Sequence, residues 1–124
     1  MEIGESKYFA CRKEWRRWLA KNHKKKKEIW LIYLKKSSDK PTISYNDSVE
    51  ESICFGWIDS QLKPIDQEKF ARRFTPRMNK NKWAKSNKIW ALKMCASGKM
   101  TKAGLEVLPI EVIKEIQKSI ILFQ

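Results

Sequence analysis

The residues best equipped for chemistry lie between positions 57 and 87. Trp57, Asp59, Arg72, Arg77, Trp83, Lys85 and Asn87 fall there, with Arg73 and Phe74 among them. An arginine offers a planar fork that takes a carboxylate or phosphate through two parallel hydrogen bonds. Aromatic walls beside it hold an apolar or planar ligand body. An aspartate opposite an arginine would aim the guanidinium. These seven residues therefore form a candidate anion pocket. A plainer reading competes for each one: Asp59 and Arg72 make a cross-strand ion pair, and the aromatic rings are core. The density of the cluster keeps the pocket in view.

Catalytic chemistry has less support. The single histidine, His23, sits at a helix end among lysines. There is no G-x-S-x-G, no glycine-rich phosphate loop and no H-E-x-x-H. Asp47, Glu50 and Glu51 share one segment, but it reads as surface and promises no shielding for paired carboxylates. No catalytic residue is assigned, and an enzyme using Asp59 as acid or base is the weakest reading. Cys11, Cys54 and Cys95 are an odd number without C-x-x-C spacing. That argues against a disulfide framework and a zinc site. Buried free thiols in a reducing compartment are expected instead. No cofactor or metal is expected.

Charge supplies a second function class. Lys and Arg total 27 against 14 acids, a net charge of +13. Such a balance favours polyanions or an acidic partner. A nucleic-acid-binding module would place Lys24, Lys25, Lys26, Lys27, Lys80, Lys82 and Lys88 on phosphates. Solvated surface charge is the blander account of the same lysines. The N-terminus lacks the pattern of a signal peptide, and no apolar run approaches a membrane span. A cytoplasmic location is expected; the oligomeric state is not assigned.

The elements that must position these residues follow from periodicity. Ser6 is read as the N-cap of a first helix whose face carries Tyr8, Cys11, Trp15, Trp18 and Leu19, ending near His23. Residues 28–35 read as a strand, apolar on both faces and hence central. Ser44 caps a second helix, and Gly56 ends it. Residues 57–63 and 68–74 then read as a hairpin around Pro64 to Gln67. That register sets Lys63 against Glu68, Gln61 against Phe70, Asp59 against Arg72 and Trp57 against Phe74. Pro76 ends the second strand. Asn81 is read as the cap of a third helix that Gly98 ends. Thr101 starts a short helix over 102–107, and Pro109 opens a last one with Val112, Ile113, Ile116 and Ile120 as its apolar stripe. The expected fold is α+β: a small antiparallel sheet, strand 28–35 plus hairpin 57–74, covered by about five helices in one domain over residues 1–124.

Several of these segments resemble a known family. CFGWID at 54–59, RRFTPR at 72–77, W-x-x-x-N at 83–87 and G-K-M at 98–100 are similar to the YdeI/OmpD-associated, or bacteriocin-protection, proteins. W-x-x-W-L at 15–19 with Asn22-His23, and the IWLIYLKK strand, fit as well. The resemblance covers about residues 9–108. It implies a small bacterial or archaeal protein of stress or antimicrobial-peptide resistance, with no firmly assigned reaction. The chain departs from that pattern at Asn79, Asn81 and Ala84, where proline and serine are usual. It also stops short of the further helical segment that many members carry.

Overall fold

The computed structural model describes residues 3–35, 39–78 and 83–122. Their elements are β1 (Ser6–Tyr8), α1 (Arg12–Asn22), β2 (Ile29–Leu34), α2 (Tyr45–Cys54), β3 (Trp57–Pro64), β4 (Lys69–Pro76), α3 (Lys85–Ala96), α4 (Lys102–Glu106) and α5 (Ile110–Leu122).

The class is α+β, but the sheet corrects the expected one. It is a mixed, four-stranded sheet in the order β1-β2-β4-β3. Ser6 is not a helix cap. Ser6, Lys7 and Tyr8 run parallel to β2 against Trp30, Leu31 and Ile32. All three are exposed, so this short edge strand carries no alternating pattern that would announce it. Helix α1 is the crossover that a parallel pair requires. Cys11 becomes the residue before that helix and is exposed, against the expectation of three buried thiols. Cys54 is buried and Cys95 half-buried.

The central position of β2 holds, with β4 antiparallel on its other side. Ser44 caps α2, its Oγ accepting from the Asp47 N–H at 3.1 Å. Gly56 then takes φ 76°, a left-handed conformation that hands the chain to β3.

The hairpin forms in another register. Trp57 faces Pro76, Ile58 faces Thr75 and Asp59 faces Phe74. After an irregularity between Asp59 and Leu62, Leu62 faces Arg72 and Pro64 faces Phe70. Asp66 sets the turn: its Oδ1 accepts the N–H groups of Glu68 and Lys69 at 2.8 and 3.0 Å. Pro76 is tolerated at the strand end because pairing with β2 stops at Phe74, so its missing N–H has no ladder partner there.

One sheet face carries Ile29, Leu31, Tyr33 and Phe74, all buried beneath the helices. Trp15 anchors the packing, 5.2 Å from Phe74 edge-on and 5.6 Å from Trp18 in a stack. Its indole N–H donates to the Ser48 carbonyl at 2.9 Å, tying α1 to α2. A second cluster joins Val49 and Ile53 of α2 with Trp83, Ala91, Leu108 and Val112. Gly104 of α4 lets that helix lie against the end of α2, where a Cβ would come within 2.4 Å of the Cys54 carbonyl oxygen. No helix among the described residues is long and apolar enough to cross a membrane.

Candidate functional site

Asp59 and Arg72 meet, but diagonally. The two-residue difference in register near Asp59 is even, so both side chains keep the same sheet face. Arg72 Nη1 lies 3.5 Å from Asp59 Oδ2. Tyr45, the first residue of α2, closes the group: its hydroxyl donates to Asp59 Oδ2 at 3.1 Å. The Arg72 guanidinium lies over the Tyr45 ring, 4.2 Å from its centroid. Arg72 Nε is buried without a hydrogen-bond partner among the described residues.

Arg77 is the more unusual member. Its backbone N–H donates to the Gly56 carbonyl at 2.8 Å, fixing it where β4 leaves the sheet. The residue is only 9% exposed. Its guanidinium lies on the Trp83 ring at 3.7 Å from the centroid, a cation–π contact. Nε and Nη2 are both buried with no partner among the described residues. Burial pushes the Arg77 guanidinium down to about 10, while the Asp59 charge pulls the other way. Trp83 is buried in turn, its Nε1 without a partner among the described residues.

Trp83 precedes Ala84, the N-cap of α3, which supplies no side-chain capping bond. No acidic residue occupies the first turn of that helix. Its leading N–H groups and positive dipole end therefore lie beside the Arg77–Trp83 stack. Lys85 is exposed and Asn87 half-buried in that turn.

The structure thus joins Asp59, Arg72, Arg77 and Trp83, with Lys85 and Asn87 at the margin. Trp57 is not a pocket wall. It is 1% exposed and packs edge-on against Trp18 at 6.0 Å. Tyr45 was hidden in the sequence because its position fits the apolar stripe of α2. Trp90, edge-on to Tyr45 at 6.2 Å, extends the aromatic wall.

Asn79, Lys80, Asn81 and Lys82 lie outside the described residues. Lys24, Lys25, Lys26 and Lys27 form an exposed turn after α1, with Lys26 bonded to Glu5 at 2.9 Å. Lys88 pairs with Glu111 at 3.6 Å on another face.

A second charged group overturns the surface reading of Glu50 and Glu51, which are 3% and 2% exposed. Arg12 donates to Asp47 at 2.9 Å, Glu50 at 3.0 Å and Glu51 at 2.6 Å. Arg16 adds a bond to Glu51 at 2.8 Å, and Lys93 one to Glu50 at 2.6 Å. Burial alone would raise the Glu50 carboxyl; the bonds from Lys93 and Arg12 outweigh it and hold it below its ordinary value. The arrangement locks α1, α2 and α3 together and leaves its carboxylates satisfied, unlike the buried, unpartnered fork of Arg77. Two arginines four apart in one helix, and adjacent acids in the next, were its signal in the sequence. Nearby, burial pushes the Cys54 thiol up to about 11, which suits an inert core thiol.

No curated protein and no solved structure matches the chain. A family model does match, over residues 7–107, which include every element from α1 to α4 and all of the Asp59–Arg72–Arg77–Trp83 group. The chain belongs to that family, a domain of unknown function designated DUF8412.

Proposed function

We propose that the protein binds a small oxoanion, a carboxylate or phosphate group, through Arg77. One observation carries the reading: Arg77 is only 9% exposed, its guanidinium lies on Trp83, and its Nε and Nη2 are buried with no partner among the described residues. Those two nitrogens share one edge of the guanidinium, the edge that grips an oxoanion side-on. Burying a charge without a close counter-charge is costly. An anion on that edge would offset the cost, so ligand binding and folding reinforce each other. Arg72 adds positive charge, Asp59 and Tyr45 hold Arg72 in place, and the start of α3 contributes oriented N–H groups.

The segments that resemble YdeI/OmpD-associated proteins support a role in stress or antimicrobial-peptide resistance in the cytoplasm. In that role the site would sense or sequester an acidic ligand.

Thermal unfolding in a panel of phosphate, sulfate, citrate and chloride at matched ionic strength tests the binding. The multivalent oxoanions should raise Tm over chloride, and Arg77→Met should remain folded and lose that increment. An equal increment in Arg77→Met would overturn the reading.

A further inference from the structure

Among the described residues, the buried side-chain atoms left without a hydrogen-bond partner are Arg72 Nε, Arg77 Nε, Arg77 Nη2 and Trp83 Nε1. Every one is an N–H donor, and no buried side-chain acceptor is left over there. A ligand that met these groups would present acceptor oxygens to them.

One acid stands beside the two arginines. Asp59 Oδ2 accepts from the Tyr45 hydroxyl at 3.1 Å and lies 3.5 Å from Arg72 Nη1. Its Oδ1 takes no hydrogen bond from the described residues. The side chain keeps 13% of its surface in solvent, so it is not sealed into the core. Asp59 makes no ion pair with Arg77 among the described residues, yet its charge acts on that guanidinium. It is near enough to be felt by both arginines and bonds only one of them. Two cations alone would accept any oxoanion. A carboxylate beside them adds a second requirement.

Tetrahedral oxoanions differ in how they meet it. Sulfate carries no proton near neutral pH, so an oxygen turned toward Asp59 is repelled. Hydrogen phosphate keeps a P–OH, which donates to a carboxylate while its other oxygens accept from arginine. Repulsion works against one ligand and a hydrogen bond favours the other, so one aspartate separates two anions of similar size and shape.

We propose that Asp59 makes the Arg77 site selective for protonated tetrahedral oxoanions, hydrogen phosphate above all, over sulfate. This selectivity rests on the oxoanion reading of Arg77 and adds the residue that determines its specificity. Arg77 and Arg72 supply the attraction. The Tyr45 hydroxyl and Arg72 occupy Oδ2, which leaves Oδ1 to accept the P–OH.

Isothermal titration calorimetry on the full chain tests it, with phosphate, arsenate, sulfate and methyl phosphate at matched ionic strength. Near neutral pH, phosphate and arsenate both carry a proton and should bind about tenfold or more tighter than sulfate. At about pH 8 methyl phosphate has lost its last proton, its second ionisation lying at about 6, and should follow sulfate. Asp59→Asn offers an amide that can donate to a bare oxygen. It should gain sulfate affinity and bring the phosphate-to-sulfate ratio to about one or below. Tyr45→Phe keeps the carboxylate and should keep the preference for phosphate. Circular dichroism checks the fold of each variant; should Asp59→Asn unfold, the methyl phosphate comparison on the wild type decides. Equal wild-type affinity for phosphate and sulfate, or methyl phosphate binding as tightly as phosphate at the higher pH, would overturn the selectivity and leave anion binding at Arg77 standing. Absence of binding by every oxoanion, or undiminished binding in Arg77→Met, would overturn both.

Discussion

The guanidinium of Arg77 lies flat on the indole of Trp83, 3.7 Å from its centroid, with the Nε and Nη2 edge unpartnered among the described residues. The stack holds the cation at the margin of the core without neutralising it. That distinguishes Arg77 from Arg12 and Arg16, whose forks are filled by Asp47, Glu50 and Glu51.

In the absence of ligand, Arg77→Met should therefore stabilise the protein or leave it unchanged, within about 1–3 kcal/mol in favour of the variant. The pH dependence has a definite sign. A lowered guanidinium value in the fold means that the folded protein gives up this proton before the unfolded chain does. The charged group costs stability at neutral pH, and the cost fades as pH rises above about 10. The stability difference between wild type and Arg77→Met, measured by urea unfolding at several pH values, should narrow above about 10. A difference constant through that range would count against the buried charge.

The Asp59–Arg72 contact at 3.5 Å is long and half-buried. A double-mutant cycle with Asp59→Asn and Arg72→Met should give a coupling of about 1 kcal/mol or less. Tyr45→Phe, which removes the hydroxyl donated to Asp59, should cost about 1 kcal/mol. A coupling several times larger would make this pair a main support of the sheet rather than an orienting contact.

The Arg12–Glu51 group should behave oppositely. Glu51→Ala removes the buried carboxylate that Arg12 and Arg16 share, leaving Arg12 with Asp47 and Glu50 and Arg16 without an acid, and a loss of about 3 kcal/mol in urea unfolding is expected. Acid should act on the same group. Because the Glu50 carboxyl is held below its ordinary 4.5, its contribution is present above that value and is lost as pH falls below it. Glu50→Gln should flatten this part of the acid-unfolding curve; an unchanged slope would contradict the assignment.

Gly104→Ala should destabilise by more than about 1 kcal/mol, because the added carbon would meet the Cys54 carbonyl oxygen at 2.4 Å. Gly98→Ala has open space around the new carbon and meets only the strain of φ 75°. Thermal unfolding of the two variants separates collision from backbone strain.

Thiol titration should find Cys11 first, Cys95 more slowly, and Cys54 only on unfolding, in line with their exposure and with the raised thiol of Cys54. Rapid labelling of all three would show that the α2–α4 contact opens readily.

Elements with strong local signals were fixed by the sequence itself. Ser44, Gly56, Thr101 and Gly98 act through bonds and backbone angles within a few residues, so the ends they set are visible in the chain. The apolar run at 28–35 likewise identified a central strand. Three things required the tertiary structure. The edge strand Ser6–Tyr8 has no buried face, so only its pairing with β2 defines it. The hairpin register depends on an irregularity after Asp59, which the sequence-derived pairing missed although it placed Asp66 in the turn. The candidate site gathers Tyr45, Asp59, Arg72, Arg77 and Trp83 from separate elements. Arginine and tryptophan at those positions are readable as residue types; whether an arginine is paired, stacked or left with an unpartnered fork depends on packing around it. For Arg77 the packing supplied a ring and withheld an acid, while for Arg12 it supplied three acids.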